Sequence, residues 1–182
     1  MRHARQTAPH ASVFTLVELL AALAIGALLA SLGGPLLARQ RASAAVVAAT
    51  NRTLAALLVA RQKALATGHP VTVCPSPDSR RCGFGGGQWM VFENLPGGLD
   101  AVREAGDSVL QQWQLPAGIL ADGTRGYAAY QPTTRSASTL TFRFCHRTHP
   151  QLSRSVIVSQ TGRARITRPN PASRLPVRGC EQ

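Results

Sequence analysis

One apolar run near the N-terminus constrains this chain more than any other feature. Residues 14–38, FTLVELLAALAIGALLASLGGPLLA, contain Glu18 as their only charged residue. As an α-helix the run would be about 37 Å long, which is enough to cross the roughly 30 Å hydrocarbon core of a bilayer. The preceding residues 1–13 are basic and contain no acid, so we expect them to stay in the cytoplasm while the rest is exported.

The charge of Glu18 argues against an ordinary secretory signal. A cleaved signal peptide is the simplest interpretation of a basic leader followed by an apolar stretch, and ALLAS near Ala30 resembles a cleavage site. A carboxylate impedes membrane insertion, however, and would gain nothing in a discarded peptide. An ionisable residue inside a membrane segment is therefore a functional hypothesis with a partner to identify.

The stretch FTLVELLAALAIGALLA resembles the N-terminal signature of type IV pilins and type II secretion pseudopilins. In that family a prepilin peptidase cuts just before the phenylalanine, on the cytoplasmic side, and methylates the new amine. The resemblance implies that Phe14 becomes the mature N-terminus and that Glu18 pairs with the N-terminal amine of a neighbouring subunit in a filament. Burying two opposite charges together costs far less free energy than burying either charge alone. Val13 departs from the family pattern, which has glycine before the cut.

The basic residues are unevenly distributed. The chain of 182 residues has 20 basic and 8 acidic residues, a formal net charge of +12. Between Gly123 and Cys180 there are ten arginines and no Asp or Glu. An unopposed positive surface attracts polyanions such as nucleic acid, acidic polysaccharide or anionic lipid headgroups. A solvated basic face with no ligand is the alternative.

The cysteine count indicates disulfides. An even number in a small chain with an export-like N-terminus is typical of disulfide-bonded proteins, and four cysteines allow three pairings. Zinc is disfavoured because there is no Cys-x-x-Cys pair and His146 and His149 form only a loose His-x-x-His; we expect no metal and no cofactor. The short spacing favours the pair Cys74–Cys82, which leaves Cys145–Cys180 to hold the C-terminal tail.

The rest of the chain predicts an α+β domain, with a long N-terminal helix packed on antiparallel β-sheet. Residues 39–67 continue the helix as an amphipathic segment that ends at Gly68, and residues 68–182 form a β-rich domain. The predicted core-facing positions of this helix are Val47, Leu54, Leu58 and Leu65. The predicted strands are residues 70–74, 88–92, 109–115, 139–144, 155–159 and 163–167.

No catalytic motif stands out in the sequence. The glycine-rich residues 75–88 lack the Lys-Ser/Thr ending of a phosphate-binding loop, and the acids in residues 100–107 have the wrong spacing for a calcium loop. Nucleophile and zinc-protease motifs are missing as well. We therefore predict that the chain is not an enzyme.

The C-terminal residues 153–180, SRSVIVSQTGRARITRPNPASRLPVRGC, form a basic segment that starts with a predicted hairpin. Gly162 would supply its turn. In the second strand Arg163 and Arg165 would project from one face, because side chains alternate along a strand, and their spacing of about 7 Å suits successive phosphates. The proline-rich tail that follows adds Arg168, Arg174 and Arg178.

The stretches VTVCPSPDSRRC, QWMVF and SQTGRARI together resemble the FimT/GspH branch of minor pilins and pseudopilins. FimT proteins of that branch bind DNA during natural transformation through a Gly-Arg-x-Arg motif, which stands here as Gly162-Arg163-Ala164-Arg165. The resemblance implies a single-pass inner-membrane protein with a periplasmic domain, later part of an extracellular pilus. Its expected partners are the DNA backbone, other pilins, the prepilin peptidase and the inner membrane. The alternative is a structural minor pilin or type II secretion pseudopilin that primes filament assembly without binding DNA.

Val13 predicts slow processing, because a β-branched residue hinders the backbone access that the peptidase needs before the cut. We expect a mixture of processed and unprocessed chains, and a larger processed fraction for Val13→Gly. Mass spectrometry of the membrane-extracted protein measures both. Ala11→Gly, which places glycine two residues further from the cut, should leave the fraction unchanged. An intact leader on every wild-type molecule would contradict the prediction.

Overall fold

The computed structural model describes residues 15–132 and 137–168, and within the helix the side chains of residues 31–33 and 35 are not described. In these residues one α-helix is followed by eight β-strands. The elements are α1 (Leu16–Thr67), β1 (Val71–Pro75), β2 (Gln88–Glu93), β3 (Ser108–Gln114), β4 (Ile119–Gly123), β5 (Ala128–Tyr130), β6 (Leu140–His146), β7 (His149–Val158) and β8 (Ala164–Thr167).

The chain divides into two compact units, Met1–Ala38 and Arg39–Gln182. In the first unit the start of α1 is capped by Thr15, whose hydroxyl oxygen accepts a hydrogen bond from the backbone N–H of Glu18 at 3.3 Å. Glu18 therefore lies in the first helical turn, where the helix dipole favours a negative charge.

Two apolar stretches of α1 have different surroundings. All side chains of Leu16–Ala30 are exposed. The segment Leu36–Thr67 could cross a membrane by length and composition, with a mean hydropathy of 1.5. However, 39% of its most apolar 18-residue stretch is buried inside the protein. Packing in the second unit explains the composition of that segment. The exposed stretch is the one that fits a membrane anchor preceding a soluble domain.

The second unit contains two four-stranded sheets, both antiparallel. Their strand orders are β3-β2-β1-β5 and β4-β6-β7-β8. Side chains from both sheets and from the later part of α1 form one hydrophobic core. The long helix and the antiparallel sheets confirm the predicted α+β class.

An aromatic cluster fills the centre of this core. The ring of Trp89 lies 4.9 Å from that of Phe142, 5.6 Å from that of Phe144 and 5.8 Å from that of Trp113, measured between centroids. The side chains of Trp89, Phe142 and Phe144 are fully buried. Most of the helix side chains buried against these sheets are small, with Val46 and Leu57 as the larger members. The buried alanines of α1 are Ala42, Ala49, Ala56, Ala60 and Ala64.

The predicted core-facing positions of this helix were partly wrong. Leu58 and Leu65 are 45% and 49% exposed, and Leu54 is half-buried. The inward face instead consists mostly of alanines and threonines, together with Val46 and Leu57. The hydroxyl of Thr53 donates to the carbonyl oxygen of Ala49 at 3.0 Å. Large apolar side chains at helical spacing therefore marked the wrong face of the helix, because part of that stripe is exposed.

The six predicted strands are present with shifted ends, and the prediction missed β4 and β5. These two strands are short and contain alanine, aspartate and glycine, so they carry little β-propensity of their own. They form because β6 and β1 offer hydrogen-bonding partners. Strand β7 begins at His149 rather than at residue 155, since its polar first half pairs with β6.

A disulfide joins Cys74 to Cys82, the local pairing that the spacing favoured. Inside the closed loop the carboxylate of Asp78 accepts hydrogen bonds from the backbone N–H groups of Arg81 and Arg80, which lower the pKa of Asp78. The other predicted pair includes Cys180, which lies outside the described residues, so that pairing stays a prediction.

The alanine face of α1 predicts that overpacking is destabilising. Ala60 is fully buried, so Ala60→Leu should lower the free energy of unfolding of Arg39–Gln182 by about 1–3 kcal/mol. Ala55 is exposed on the same helix, so Ala55→Leu should change it by no more than about 0.5 kcal/mol. Urea unfolding measures both. Equal effects would show that the helix face is assigned wrongly.

Candidate nucleic-acid interface

Strands β7 and β8 form an antiparallel hairpin at the open edge of the second sheet. The backbone N–H of Ser159 donates to the carbonyl oxygen of Arg163 at 3.0 Å, and that of Gly162 donates to the carbonyl oxygen of Ser159 at 2.8 Å. Gly162 has φ of 73°, the left-handed conformation that closes a three-residue hairpin loop. The loop therefore consists of Gln160, Thr161 and Gly162, the segment predicted to turn.

The turn packs closely on Tyr130. A Cβ atom at Gly162 would lie 3.3 Å from Tyr130 Cε1 and 3.6 Å from Arg61 Nε. Tyr130 is 3% exposed, and within the described residues its hydroxyl has no hydrogen-bond partner. Burial raises the pKa of Tyr130 to about 12, and the positive charge of Arg61 opposes part of that rise. Glycine thus permits a close approach that holds the turn between a sheet tyrosine and a helix arginine.

Arg163 and Arg165 are both exposed. Arg165 lies opposite Ile157 on β7, and the two arginines, two residues apart, project from the same face. With Ile157, Ser159 and Thr161 they line a shallow depression of about 460 Å³. Ser159 stabilises the backbone beside this depression, because its hydroxyl oxygen accepts a hydrogen bond from the Arg163 backbone N–H at 3.3 Å. The arrangement presents two guanidinium groups on an ordered backbone.

These two arginines face little negative charge. Across residues 15–132 and 137–168 the ion pairs have Glu93 or Asp122 as their acid. Their basic partners do not include Arg163 or Arg165. Asp122 is engaged by Arg143, with 2.8 Å between carboxylate oxygen and guanidinium nitrogen. The charge of the hairpin is therefore available to an external anion.

The structure separates Arg168 from this pair. Arg168 is exposed just after β8, and it lines a different groove together with Arg154. The alternation of side chains accounts for the separation, because Arg168 is an odd number of residues away from Arg163 and Arg165. The predicted set of DNA-binding arginines thus occupies at least two surfaces.

Several predicted site residues lie outside the described residues. They are Val13 and Phe14 at the processing site and Arg174, Arg178 and Cys180 in the tail. Glu18 is described and exposed in the first turn of α1. Within the described ranges no group of three or more His, Cys, Asp or Glu side chains could hold a metal ion. The rings of His146 and His149 are tilted by 34°, with their centroids 5.5 Å apart.

Arg61 and Tyr130 were missed by the sequence prediction. Arg61 lies on α1 about 100 residues before the hairpin, and Tyr130 lies on a strand that was itself missed. A local pattern does not reveal either, because both contacts with the turn depend on the tertiary packing. The tyrosine in the short run AAY beside turn residues was the available signal for β5.

A family comparison identifies the chain. The family model described as "Type II transport protein GspH" matches residues 49–162, more than half of the sequence. The chain belongs to the GspH family. The GspH match spans the second part of α1, strands β1 to β7 and the hairpin turn up to Gly162, and it ends before β8. The resemblance to the FimT/GspH family that the sequence motifs indicated is thereby confirmed.

Solved structures show the same fold as this GspH-family chain. The type IV minor pilin FimU of Pseudomonas aeruginosa superposes with a TM-score of 0.50 at 16% identity, covering 67% of this chain and 87% of FimU. The minor pseudopilin EpsH from the type II secretion system of Vibrio cholerae gives 0.50 at 11% identity, covering 70% and 99%. No curated protein matches the sequence. At these identities the likeness supports the pilin-like fold alone.

The close packing of the turn predicts a specific loss at Gly162. Gly162→Ala should lower the free energy of unfolding by about 1–2 kcal/mol for the left-handed backbone. The loss should be larger still, because the new Cβ would make a tight contact of 3.3 Å with Tyr130 Cε1. Gly97 has φ of 88°, and a Cβ atom added there would meet nothing within 4 Å, so Gly97→Ala should show the backbone cost alone. Thermal or urea unfolding compares them. Equal losses would show that the tyrosine contact contributes nothing.

Proposed function

We propose that this GspH-family protein is a minor pilin that binds DNA through the hairpin residues Gly162, Arg163 and Arg165. The observation that carries the proposal is the exposure of both arginines on one face of an ordered hairpin, within a stretch of sequence that contains no acid. The proposed biological role is capture of extracellular DNA for uptake in natural transformation.

The spacing and rigidity of the hairpin suit phosphate binding. Side chains two residues apart on a strand are separated by about 7 Å, so two guanidinium groups can engage neighbouring phosphates of a backbone. The turn is held by its own hydrogen bonds and by Tyr130, so little further ordering is needed when DNA binds. Preorganised donors of this kind favour binding without adding contacts.

The hairpin offers charge but no stacking platform. Tyr130, the aromatic side chain next to the turn, is buried beneath it. Single-strand binders rely on exposed aromatic side chains, whereas contacts with phosphates alone read no sequence. We therefore propose that duplex DNA is held by its backbone, with little dependence on base sequence and a steep dependence on salt.

The remaining parts of the proposal concern assembly. The apolar run of residues 14–38, whose part Leu16–Ala30 is exposed, would anchor the chain in the inner membrane, with Arg39–Gln182 in the periplasm. After cleavage before Phe14, Glu18 would pair with the amine of a neighbouring subunit as the filament forms. The family membership supports association with other pilins or pseudopilins.

A structural role without DNA is the second candidate. The GspH family description and the fold shared with FimU and EpsH favour a minor pilin or pseudopilin that takes part in filament assembly. In that case the basic hairpin would contact protein. The two candidates differ in whether the isolated domain binds DNA.

The proposal predicts the behaviour of two matched double variants of Arg39–Gln182, a unit that contains all the buried core residues of the described part of the chain. Arg163→Ala/Arg165→Ala should weaken duplex binding about tenfold at moderate salt, as expected for two exposed ion pairs of about 0.7 kcal/mol each. It should also reduce the slope of log affinity against log salt by about 1.8. Fluorescence anisotropy with a labelled duplex across a salt series measures both.

Arg80→Ala/Arg81→Ala is the control, because it also removes two positive charges, but from exposed positions in the disulfide loop. It should retain nearly wild-type affinity. If both double variants weaken binding equally, the hairpin assignment is wrong and only net charge matters. If the wild-type domain does not bind DNA, the structural role is the correct one.

A further inference from the structure

The groove that contains Arg154 and Arg168 has no role in the proposed DNA site. It has a volume of about 570 Å³ and is open to solvent. Its described lining comes from the start of the helix in the second unit and from the ends of β7 and β8, and none of these lining residues is acidic. They are Ser43, Val46, Gln151, Leu152, Ser153, Arg154 and Arg168.

We propose that this groove binds the phosphate of an anionic phospholipid headgroup at the membrane surface. Arg154 lies on β7 opposite Phe144 of β6, and Arg168 follows Thr167, which lies opposite Ser155. The two arginines are therefore neighbours across the β7–β8 pair. Arg154 is half-buried and Arg168 is exposed, so Arg154 is the more enclosed residue of the two.

The lining has the donors that a phosphodiester requires. Guanidinium groups make paired hydrogen bonds to phosphate oxygens, and the hydroxyls of Ser43 and Ser153 can donate to the remaining oxygens. Leu152 and Val46 supply apolar walls for a glycerol backbone or the first methylenes of an acyl chain. A volume of this size lies within the range of small-molecule sites.

The position of the groove along the chain favours a lipid. Ser43 is only five positions after Ala38, so even an extended chain keeps them within about 18 Å of each other. Arg39 and Arg41, both exposed, occupy this short interval. Basic residues directly beside a membrane segment attract anionic lipids, and each contributes about 1 kcal/mol to the binding free energy. The groove would thus lie within reach of the headgroups when the apolar stretch is inserted.

The inference rests on the membrane anchoring in the proposed function, and it is independent of DNA binding. Arg163 and Arg165 project from the other side of β8 from Arg168, so a duplex held by the hairpin would not fill the groove. The two basic surfaces can therefore be tested separately with variants of equal charge.

The test uses the soluble unit Arg39–Gln182, because the full chain would insert into any bilayer through its apolar stretch. Binding is measured by co-sedimentation with vesicles of phosphatidylcholine and with an equimolar mixture of phosphatidylcholine and phosphatidylglycerol. We expect binding to the mixed vesicles only. Arg154→Ala/Arg168→Ala should reduce the partition coefficient about thirtyfold, converted from about 1 kcal/mol per arginine, and should leave DNA binding unchanged.

The matched control is Arg163→Ala/Arg165→Ala, which should bind the mixed vesicles like wild type and lose affinity for DNA. Equal losses of vesicle binding in both double variants would overturn the groove assignment, as would failure of the wild-type unit to bind the mixed vesicles. If Arg154→Ala disturbs folding, single variants at the exposed positions Arg168 and Arg165 are compared instead. Arg168→Ala should then lower vesicle binding about fivefold and Arg165→Ala should not.

Discussion

The contact between the small-residue face of α1 and the aromatic cluster around Trp89 determines the arrangement of the second unit. Buried alanines allow the helix to approach rings contributed by both sheets, and those rings lie within 5.8 Å of Trp89. Because β6 carries Phe142 and Phe144, the same contact positions the sheet whose strands β7 and β8 form the basic hairpin. A functional surface at the edge thus depends on packing in the centre.

Much of the fold could be predicted from local patterns, and the failures have physical causes. The helix and six strands were recognisable because their apolar spacing and their glycine or proline boundaries are local properties. The inward face of α1 was not, since Leu58 and Leu65 look like core residues until the aromatic bulk of the sheets is known. Strands β4 and β5 exist through their pairing partners rather than through their own composition.

The candidate site shows the same division. The alternation of strand side chains was sufficient to place Arg163 and Arg165 on one face, and the glycine indicated the turn. The sequence prediction grouped Arg168 with them because all three are close in the chain, whereas the strand geometry directs Arg168 into the groove with Arg154. Arg61 and Tyr130 reach the turn only through the tertiary fold, and a sequence pattern has no means of bringing them there.

Among the described residues β8 is an edge strand of its sheet, and this position has a consequence that does not depend on any ligand. An edge strand offers unpaired backbone groups to which another chain can add, and charged side chains are one of the ways in which proteins discourage such pairing. Arg163 and Arg165 flank Ala164 at the start of this strand. Their mutual repulsion between copies therefore protects the domain from edge-to-edge aggregation, so the same residues would be retained for solubility even where no polyanion is bound.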